Sequence, residues 1–225
     1  MVFSAKLELN LGEVLPALGY KAQKPDAGTQ RRIETAAKAV QAAAAPRWVY
    51  RQFGLLPQSI LENTNVALPG SNIAAHLAGC TSCILLALTL GGAVDAALRA
   101  AEAADMTMAV IMDVCASTLI EQYADEAQTL LQAEQRQQHQ FITGRFSPGY
   151  GDFPLDIQPE VLRLLNASRS IGLTANASNI LLPRKSITAV IGVAEKPVKG
   201  KLATCTNCAL REKCVLRKEG KYCGG

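Results

Sequence analysis

The sequence predicts an α+β fold, with a mixed or antiparallel sheet on which long helices pack. Strand-like and helix-like patterns alternate irregularly along the chain, so consecutive strands are not separated by regular helices as in a doubly wound sheet. The most apolar run, Ile84 to Val94, is interrupted by Thr89, Gly91 and Gly92. It is well short of the ~20 residues that span a bilayer, so we expect it to be core. A chain of 225 residues can bury one sizeable core and carry a small appendage.

In the first half of the chain, alternation predicts strands, and runs bounded by caps, glycine or proline predict helices. The alternating leucines before Gly12 indicate the first strand, and Thr29 and Pro46 delimit the first long helix. The expected elements are a strand over 6–11, a short helix over 13–18, a helix over 29–45, a strand over 48–53 and a helix over 71–77.

In the second half, the longest helical pattern runs from about Met106 to Gln132, with Glu121 as the conspicuous acid near its middle and off its apolar stripe. The β-branched run before Ala194 predicts the last strand. The expected elements are a buried strand over 80–90, a helix over 93–103, the long helix, a strand over 141–143, a helix over 158–168 and a strand over 186–193.

Charge divides the chain into two parts. Residues 195–225 hold eight Lys or Arg and three Glu, a net charge of +5, and because the whole chain is +4 the remainder carries −1. A chain-wide nucleic-acid surface is therefore not supported, and an adaptor that binds nucleic acid through this tail is disfavoured because the tail lacks interleaved aromatics. We expect a core domain over 1–194 and a basic tail over 195–225.

The tail carries Cys205, Cys208, Cys214 and Cys223 within nineteen residues. Four thiolates are the full ligand set for tetrahedral zinc or for an iron–sulfur cluster, although the spacing fits neither a two-CxxC zinc ribbon nor a ferredoxin. The tail is predicted to bind a metal. Zinc would give a structural knuckle, whereas a cluster could carry an electron.

The other cysteines are predicted to be core residues. Cys80 and Cys83 have the spacing of a redox motif, but they enter an apolar strand without the helix N-terminus that lowers a thiol pKa. Cys115 lies on the apolar stripe of the long helix. His76 and His139 have no partners at ligand spacing, so neither is a metal candidate.

The most informative loop follows the long helix and reads Arg145-Phe-Ser-Pro-Gly-Tyr-Gly-Asp152. Pro148 and Gly149 predict a type II turn over 147–150. Arg145 offers a fork of donors that matches a carboxylate, and Tyr150 offers a flat aromatic face. Asp152 is expected to order the loop by binding its amides. The pattern suits a small zwitterionic ligand with an aromatic part, but it also suits an ordinary surface turn.

This loop resembles the Arg-x-x-Pro-Gly-Tyr signature of the S-adenosylmethionine-binding activation domain of cobalamin-dependent methionine synthase. Other segments are similar in the same order: Glu13 to Tyr20, Leu88 to Asp95, Ala116 to Glu121 and Leu182 to Thr188. The resemblance spans roughly residues 10–193. It implies the fold of that domain for the core.

The resemblance also implies site residues. Arg145 would pair with the carboxylate of S-adenosylmethionine, and Glu121 would accept from its ammonium group. Main-chain groups of Ser147 and Gly149 would contact the nucleoside, against which Tyr150 would pack. The N-terminal acid and the late tyrosine that lie near the ligand in the multidomain enzymes have no counterpart that we can place in this sequence.

The implied role is accessory. In the family, a one-electron reductant regenerates cob(I)alamin, which takes the methyl group from S-adenosylmethionine. We expect a corrinoid-binding methionine synthase or a related corrinoid protein as partner, with a flavodoxin or ferredoxin as reductant. The alternative is a non-catalytic partner that caps a corrinoid protein and controls its conformation. Residues 1–9 do not resemble a signal peptide, so the expected location is the cytoplasm, with no membrane partner.

Overall fold

The structure is a computed structural model and describes residues 1–3, 5–20 and 23–198. The predicted metal ligands Cys205, Cys208, Cys214 and Cys223 lie outside the described residues, as does nearly all of the tail predicted over 195–225. The fold class predicted from the sequence is confirmed, because helices and a sheet alternate irregularly along the described chain. The described helices are α1 (Leu11–Ala17), α2 (Ala27–Ala43), α3 (Ser71–His76), α4 (Gly92–Ala104), α5 (Met106–Gln137), α6 (Gln158–Leu164) and α7 (Ala167–Ile171).

Within the described residues, five strands form one sheet in the order β2-β1-β3-β7-β4, and β5 and β6 form a small separate hairpin. The pairs β1–β2 and β4–β7 are antiparallel, with Leu55 opposite Leu61 and Phe141 opposite Ala194. The strands are β1 (Arg47–Leu56), β2 (Ile60–Leu61), β3 (Ser82–Thr89), β4 (Phe141–Ile142), β5 (Thr174–Ala175), β6 (Leu181–Leu182) and β7 (Ser186–Ala194).

The buried strand expected over 80–90 is confirmed as β3, which is buried along its whole length. A strand covered on both faces is apolar at every position instead of alternating. The long helix is also confirmed and continues to Gln137. The described chain divides into two compact units: Met1–Val49, Ala87–Ala127 and Asn166–Ile187 form the first, and Tyr50–Leu86, Gln128–Leu165 and the residues from Thr188 onward form the second.

In the first unit, α2 packs on α4. The buried face of α2 consists of Ile33, Ala36, Ala37 and Val40, a spacing that lies on one side of a helix. Small alanines in this stripe allow two helices to approach closely. The helix begins at Asp26, whose carboxylate accepts from the N–H groups of Gly28 and Thr29, so the predicted cap at Thr29 is wrong by one turn.

The strand predicted over 6–11 is wrong. Residues 5–10 have no regular secondary structure, and Leu11 already begins α1 behind the N-cap Asn10. The backbone there finds side-chain partners in place of a strand: Leu7 N–H donates to the Tyr123 hydroxyl at 3.0 Å, and Asn10 N–H donates to Gln122 Oε1 at 3.3 Å. The alternation of leucines therefore marks an irregular segment whose backbone bonds to helix side chains.

In the second unit, Phe146, Phe153, Ile73 and Val161 are buried core residues. The helix predicted over 158–168 is interrupted, because Asn166 adopts φ 50° and separates α6 from α7. A residue in the left-handed conformation commonly ends an α-helix. Among the described residues, no helix is both long enough and apolar enough to cross a membrane.

Candidate functional site

The turn predicted over residues 147–150 is present in the second unit. Tyr150 N–H donates to the Ser147 carbonyl at 3.1 Å, and Gly149 has φ 93°. This positive φ at the third position is what a type II turn requires. Gly149 N–H also donates to the Phe153 carbonyl at 2.7 Å, and Phe153 N–H returns to the Tyr150 carbonyl at 3.0 Å. The turn is therefore held by its own backbone.

Arg145 enters this turn from an extended segment. Its neighbour Phe146 pairs with Val190 of β7 through two backbone hydrogen bonds of 2.9 and 2.8 Å, which continue the ladder beyond β4. The Arg145 side chain is partly exposed, and its Nη1 donates to Oε1 of Gln128 on α5 at 3.3 Å. The sheet thus fixes the backbone of Arg145, and a neutral amide contacts its guanidinium.

Helix α3 holds the far end of the loop through Asp152. The carboxylate accepts from Ser71 N–H at 2.6 Å, from the Ser71 hydroxyl at 2.7 Å and from Asn72 N–H at 2.9 Å. These hydrogen bonds, the side-chain bond from Ser71 first, lower the pKa of Asp152 to about 2. The sequence correctly singled out Asp152 as ordering the loop, but its partners belong to α3 and not to the loop.

The approach of Asp152 to α3 depends on Gly70. This residue has φ 124°, and a Cβ there would lie 2.9 Å from the Asp152 backbone carbonyl oxygen. A side chain at this position would therefore both strain the backbone and push the loop away.

The other end of α3 holds the near end of the loop. His76 is 1 % exposed, and its Nε2 lies 3.0 Å from the Gly144 carbonyl oxygen and 2.9 Å from the Thr143 hydroxyl. With the proton on Nε2, the ring donates to the Gly144 carbonyl oxygen, which can only accept. The ring also packs against Phe146, with centroids 5.0 Å apart. Residues at the two ends of α3 thus hold the loop on both sides of the turn.

Tyr150 lies at the rim of a buried aromatic group. Phe146 and Phe153 are each 1 % exposed, whereas Tyr150 is 48 % exposed. The Tyr150 ring meets Phe146 edge to face at 5.8 Å. Part of the ring therefore faces solvent next to the turn, where a planar group can stack on it.

Ser147 and Gly149, whose main-chain groups are expected to contact a ligand, both lie within the turn. A Cβ on Gly149 would lie 3.3 Å from Leu155 Cδ2, so this side of the glycine faces a protein side chain. The N–H of Gly149 is committed to Phe153.

Glu121, the other expected ligand contact, is an exposed residue of α5 and belongs to the first unit. The structure thus brings Arg145, Ser147, Gly149 and Tyr150 together in one loop. The sequence did not indicate that Gln128 and His76 contact this loop. Gln128 is one of several glutamines late in α5, and His76 was assessed only as a metal ligand.

The prediction of core residues is confirmed for two of the three described cysteines. Cys83 and Cys115 are buried, and Cys80 is partly exposed. Burial, together with the nearby Cys80, raises the pKa of Cys83 to about 12, and burial raises the pKa of Cys115 to about 11. Thiols of this kind are poor nucleophiles. In the part of the chain that the structure describes, no group of His, Cys, Asp or Glu could hold a metal ion.

The fold and the loop define an α+β domain in which a sheet and a short helix hold an arginine next to a type II turn. Neither a family model nor a curated protein sequence matches this chain. Among solved structures, the chain is similar to the crystal structure of the MetH reactivation domain bound to AdoHcy, with a TM-score of 0.60 over 93 % of this chain and 81 % of that one, at 15 % identity. The fold expected from the sequence resemblance is confirmed.

Proposed function

We propose that this protein binds S-adenosylmethionine and supports the reductive remethylation of cobalamin on a corrinoid partner. The observation that carries the proposal is the coincidence of two findings. The fold is similar to that of a domain whose crystal structure contains AdoHcy, and this chain places Arg145 beside an ordered turn and an exposed tyrosine. AdoHcy is S-adenosylmethionine without its transferable methyl group.

The residues of the loop suit this ligand. The guanidinium of Arg145 has five donors, so it can bind the ligand carboxylate through a pair of N–H groups while Nη1 keeps a bond to Gln128. A charge-assisted contact of this type contributes about 1.5–3 kcal/mol. Tyr150 offers part of a ring to the nucleoside.

The proposed reaction demands positioning more than acid–base chemistry. A sulfonium methyl group is already activated, and the partner's cobalamin, once reduced by one electron from a flavodoxin or ferredoxin, supplies the nucleophile. What the chain contributes is a fixed orientation of the ligand. The double attachment of the loop to α3 supplies that rigidity before a ligand arrives.

A reactivation assay tests the proposal. A methionine synthase that lacks its own activation domain is prepared with cob(II)alamin and mixed anaerobically with the chain, S-adenosylmethionine and a one-electron reductant. The visible spectrum should show methylcobalamin only when the chain is present. No methylcobalamin with any corrinoid partner tested would contradict the proposal.

A second candidate function is a non-catalytic partner that caps a corrinoid protein and controls its conformation. This function is favoured because groups of the loop are already hydrogen-bonded within the protein. The Gly149 N–H donates to the Phe153 carbonyl, and one Arg145 N–H group donates to Gln128. Calorimetric titration with S-adenosylmethionine, with and without the partner, separates the two. Partner binding without any ligand binding would leave only the conformational role.

A further inference from the structure

We propose that Ser71 and Asp152 form a latch between α3 and the loop, and that closing this latch and binding a ligand on the loop stabilise each other. The inference rests on the proposed function and deepens it, because it makes Ser71, which lies outside the loop, a positioning residue for the ligand. The latch consists of the hydrogen bonds that the Ser71 hydroxyl, the Ser71 N–H and the Asn72 N–H donate to the Asp152 carboxylate. All three residues belong to the second unit.

The loop supplies the cap of α3. Gly70 occupies the N-cap position and has no side chain, so the first N–H groups of the helix need an acceptor from elsewhere. Asp152 provides that acceptor from a position 81 residues further along the chain than Ser71. The start of α3 and the position of the loop therefore depend on each other.

Asp152 also lies inside the hydrogen-bonded turn. The bond from Gly149 N–H to the Phe153 carbonyl and the bond from Phe153 N–H to the Tyr150 carbonyl both close over it. A displacement of Asp152 therefore moves the turn residues that are proposed to meet the ligand. Ser71 acts on those residues through Asp152.

The latch is at the surface, since Ser71 and Asp152 are both exposed. Water competes for each of its hydrogen bonds, so the latch can open locally while the buried core stays closed. A ligand that requires the ordered turn binds only the molecules in which the latch is closed, and its apparent affinity falls with their fraction. Linkage makes the effect reciprocal, because the ligand then favours the closed latch by the same factor.

Calorimetric titration with AdoHcy measures the effect of the latch on the ligand. The variants are Ser71→Ala, Asp152→Ala and their combination, each titrated at a temperature at which its thermal unfolding curve shows it folded. The matched control Ser170→Ala removes an exposed hydroxyl from α7 in the first unit. We expect Ser71→Ala to bind about threefold more weakly and Asp152→Ala about tenfold more weakly, with Ser170→Ala like the wild type. Ser71→Ala should cost nothing further in the Asp152→Ala background, since the hydroxyl acts through the carboxylate.

Hydrogen exchange measures the reciprocal effect of the ligand on the latch, which a merely structural contact would not show. Saturating AdoHcy should slow the exchange of the Ser71 and Asn72 amides. The matched control is the amide of Gly28, which donates to the Asp26 carboxylate at 2.8 Å at the start of α2 and should exchange at the same rate with and without AdoHcy. Equal slowing of all three amides would indicate general stabilisation of the protein and would overturn the inference, as would unchanged exchange at Ser71 and Asn72.

The outcomes separate the latch from the function on which it rests. If the wild type binds no AdoHcy, the proposed function fails and the latch fails with it. If the wild type binds AdoHcy but Ser71→Ala and Asp152→Ala bind like Ser170→Ala, only the latch fails. Losses that add fully in the double variant would also overturn the latch, because Ser71 would then act independently of Asp152.

Discussion

Asp152 accepts hydrogen bonds from both polar groups of Ser71, the backbone N–H at 2.6 Å and the hydroxyl at 2.7 Å. This relationship joins the residue just beyond the Pro-Gly turn to the first turn of α3. Together with the bond between His76 and Gly144, it makes one short helix the support for both sides of the loop that carries Arg145 and Tyr150.

The Asp152 contact predicts a specific response to acid. We expect Asp152→Asn to lower the midpoint of thermal unfolding at neutral pH. The carboxylate accepts from three donors through two oxygens, whereas an amide has only one oxygen that can accept. The pKa of Asp152 is lowered from 3.8 to about 2 by these bonds, so their contribution to stability is complete above pH 3.8 and is lost as the pH falls through about 2.

Thermal unfolding of the two proteins between pH 7 and pH 2 checks this prediction. The advantage of the wild type over Asp152→Asn should shrink over the acid range. The control Glu8→Gln changes an exposed acid and should unfold like the wild type at neutral pH. An Asp152→Asn deficit that persists unchanged at pH 2 would show that the carboxylate is not its source.

We expect His76→Gln and His76→Asn to differ in stability. The amide of glutamine can reach the position of Nε2, whereas that of asparagine reaches the position of Nδ1. His76→Gln should therefore keep the bond to the Gly144 carbonyl, and His76→Asn should lose it at an additional cost of about 0.5–1.5 kcal/mol. Urea unfolding of both variants measures this difference, and equal stability would contradict the assigned role of Nε2.

We expect replacement by alanine to affect stability differently at Gly149 and at Gly92. Gly149→Ala should destabilise the protein by about 1–2 kcal/mol, because alanine resists φ 93° and its Cβ would press on Leu155. Gly92 begins α4 and has open space around it, so Gly92→Ala should be neutral or stabilising by up to about 1 kcal/mol. Urea unfolding of both variants checks the pair. A neutral Gly149→Ala would argue against the type II turn.

The four cysteines of the tail are predicted to bind a metal. Cys205, Cys208, Cys214 and Cys223 should hold zinc or an iron–sulfur cluster, and replacing any pair by serine should abolish the binding. Elemental analysis and the visible spectrum of anaerobically purified protein check this. One zinc in a colourless protein would exclude an electron relay, and a protein free of metal would contradict the site itself.

The sequence was sufficient where a single local rule decides the structure. The Pro-Gly turn, the long helix α5 and the buried strand β3 follow from turn chemistry, period and composition. It failed at residues 6–11, because their partners are side chains more than thirty positions away. Gln128 and His76 were missed for the same reason. Their roles arise from contacts at long range, which no spacing along the chain reveals.

We propose that Arg145 holds the carboxylate of an S-adenosylmethionine-like ligand. Calorimetric titration of AdoHcy into the wild type, Arg145→Ala and Arg163→Ala tests it most directly. Arg163 is an exposed arginine paired with Glu160, so its loss controls for the removal of one charge. We expect Arg145→Ala to bind at least tenfold more weakly, and Arg163→Ala to bind like the wild type. Equal affinity of all three proteins, or no binding by the wild type, would contradict the claim.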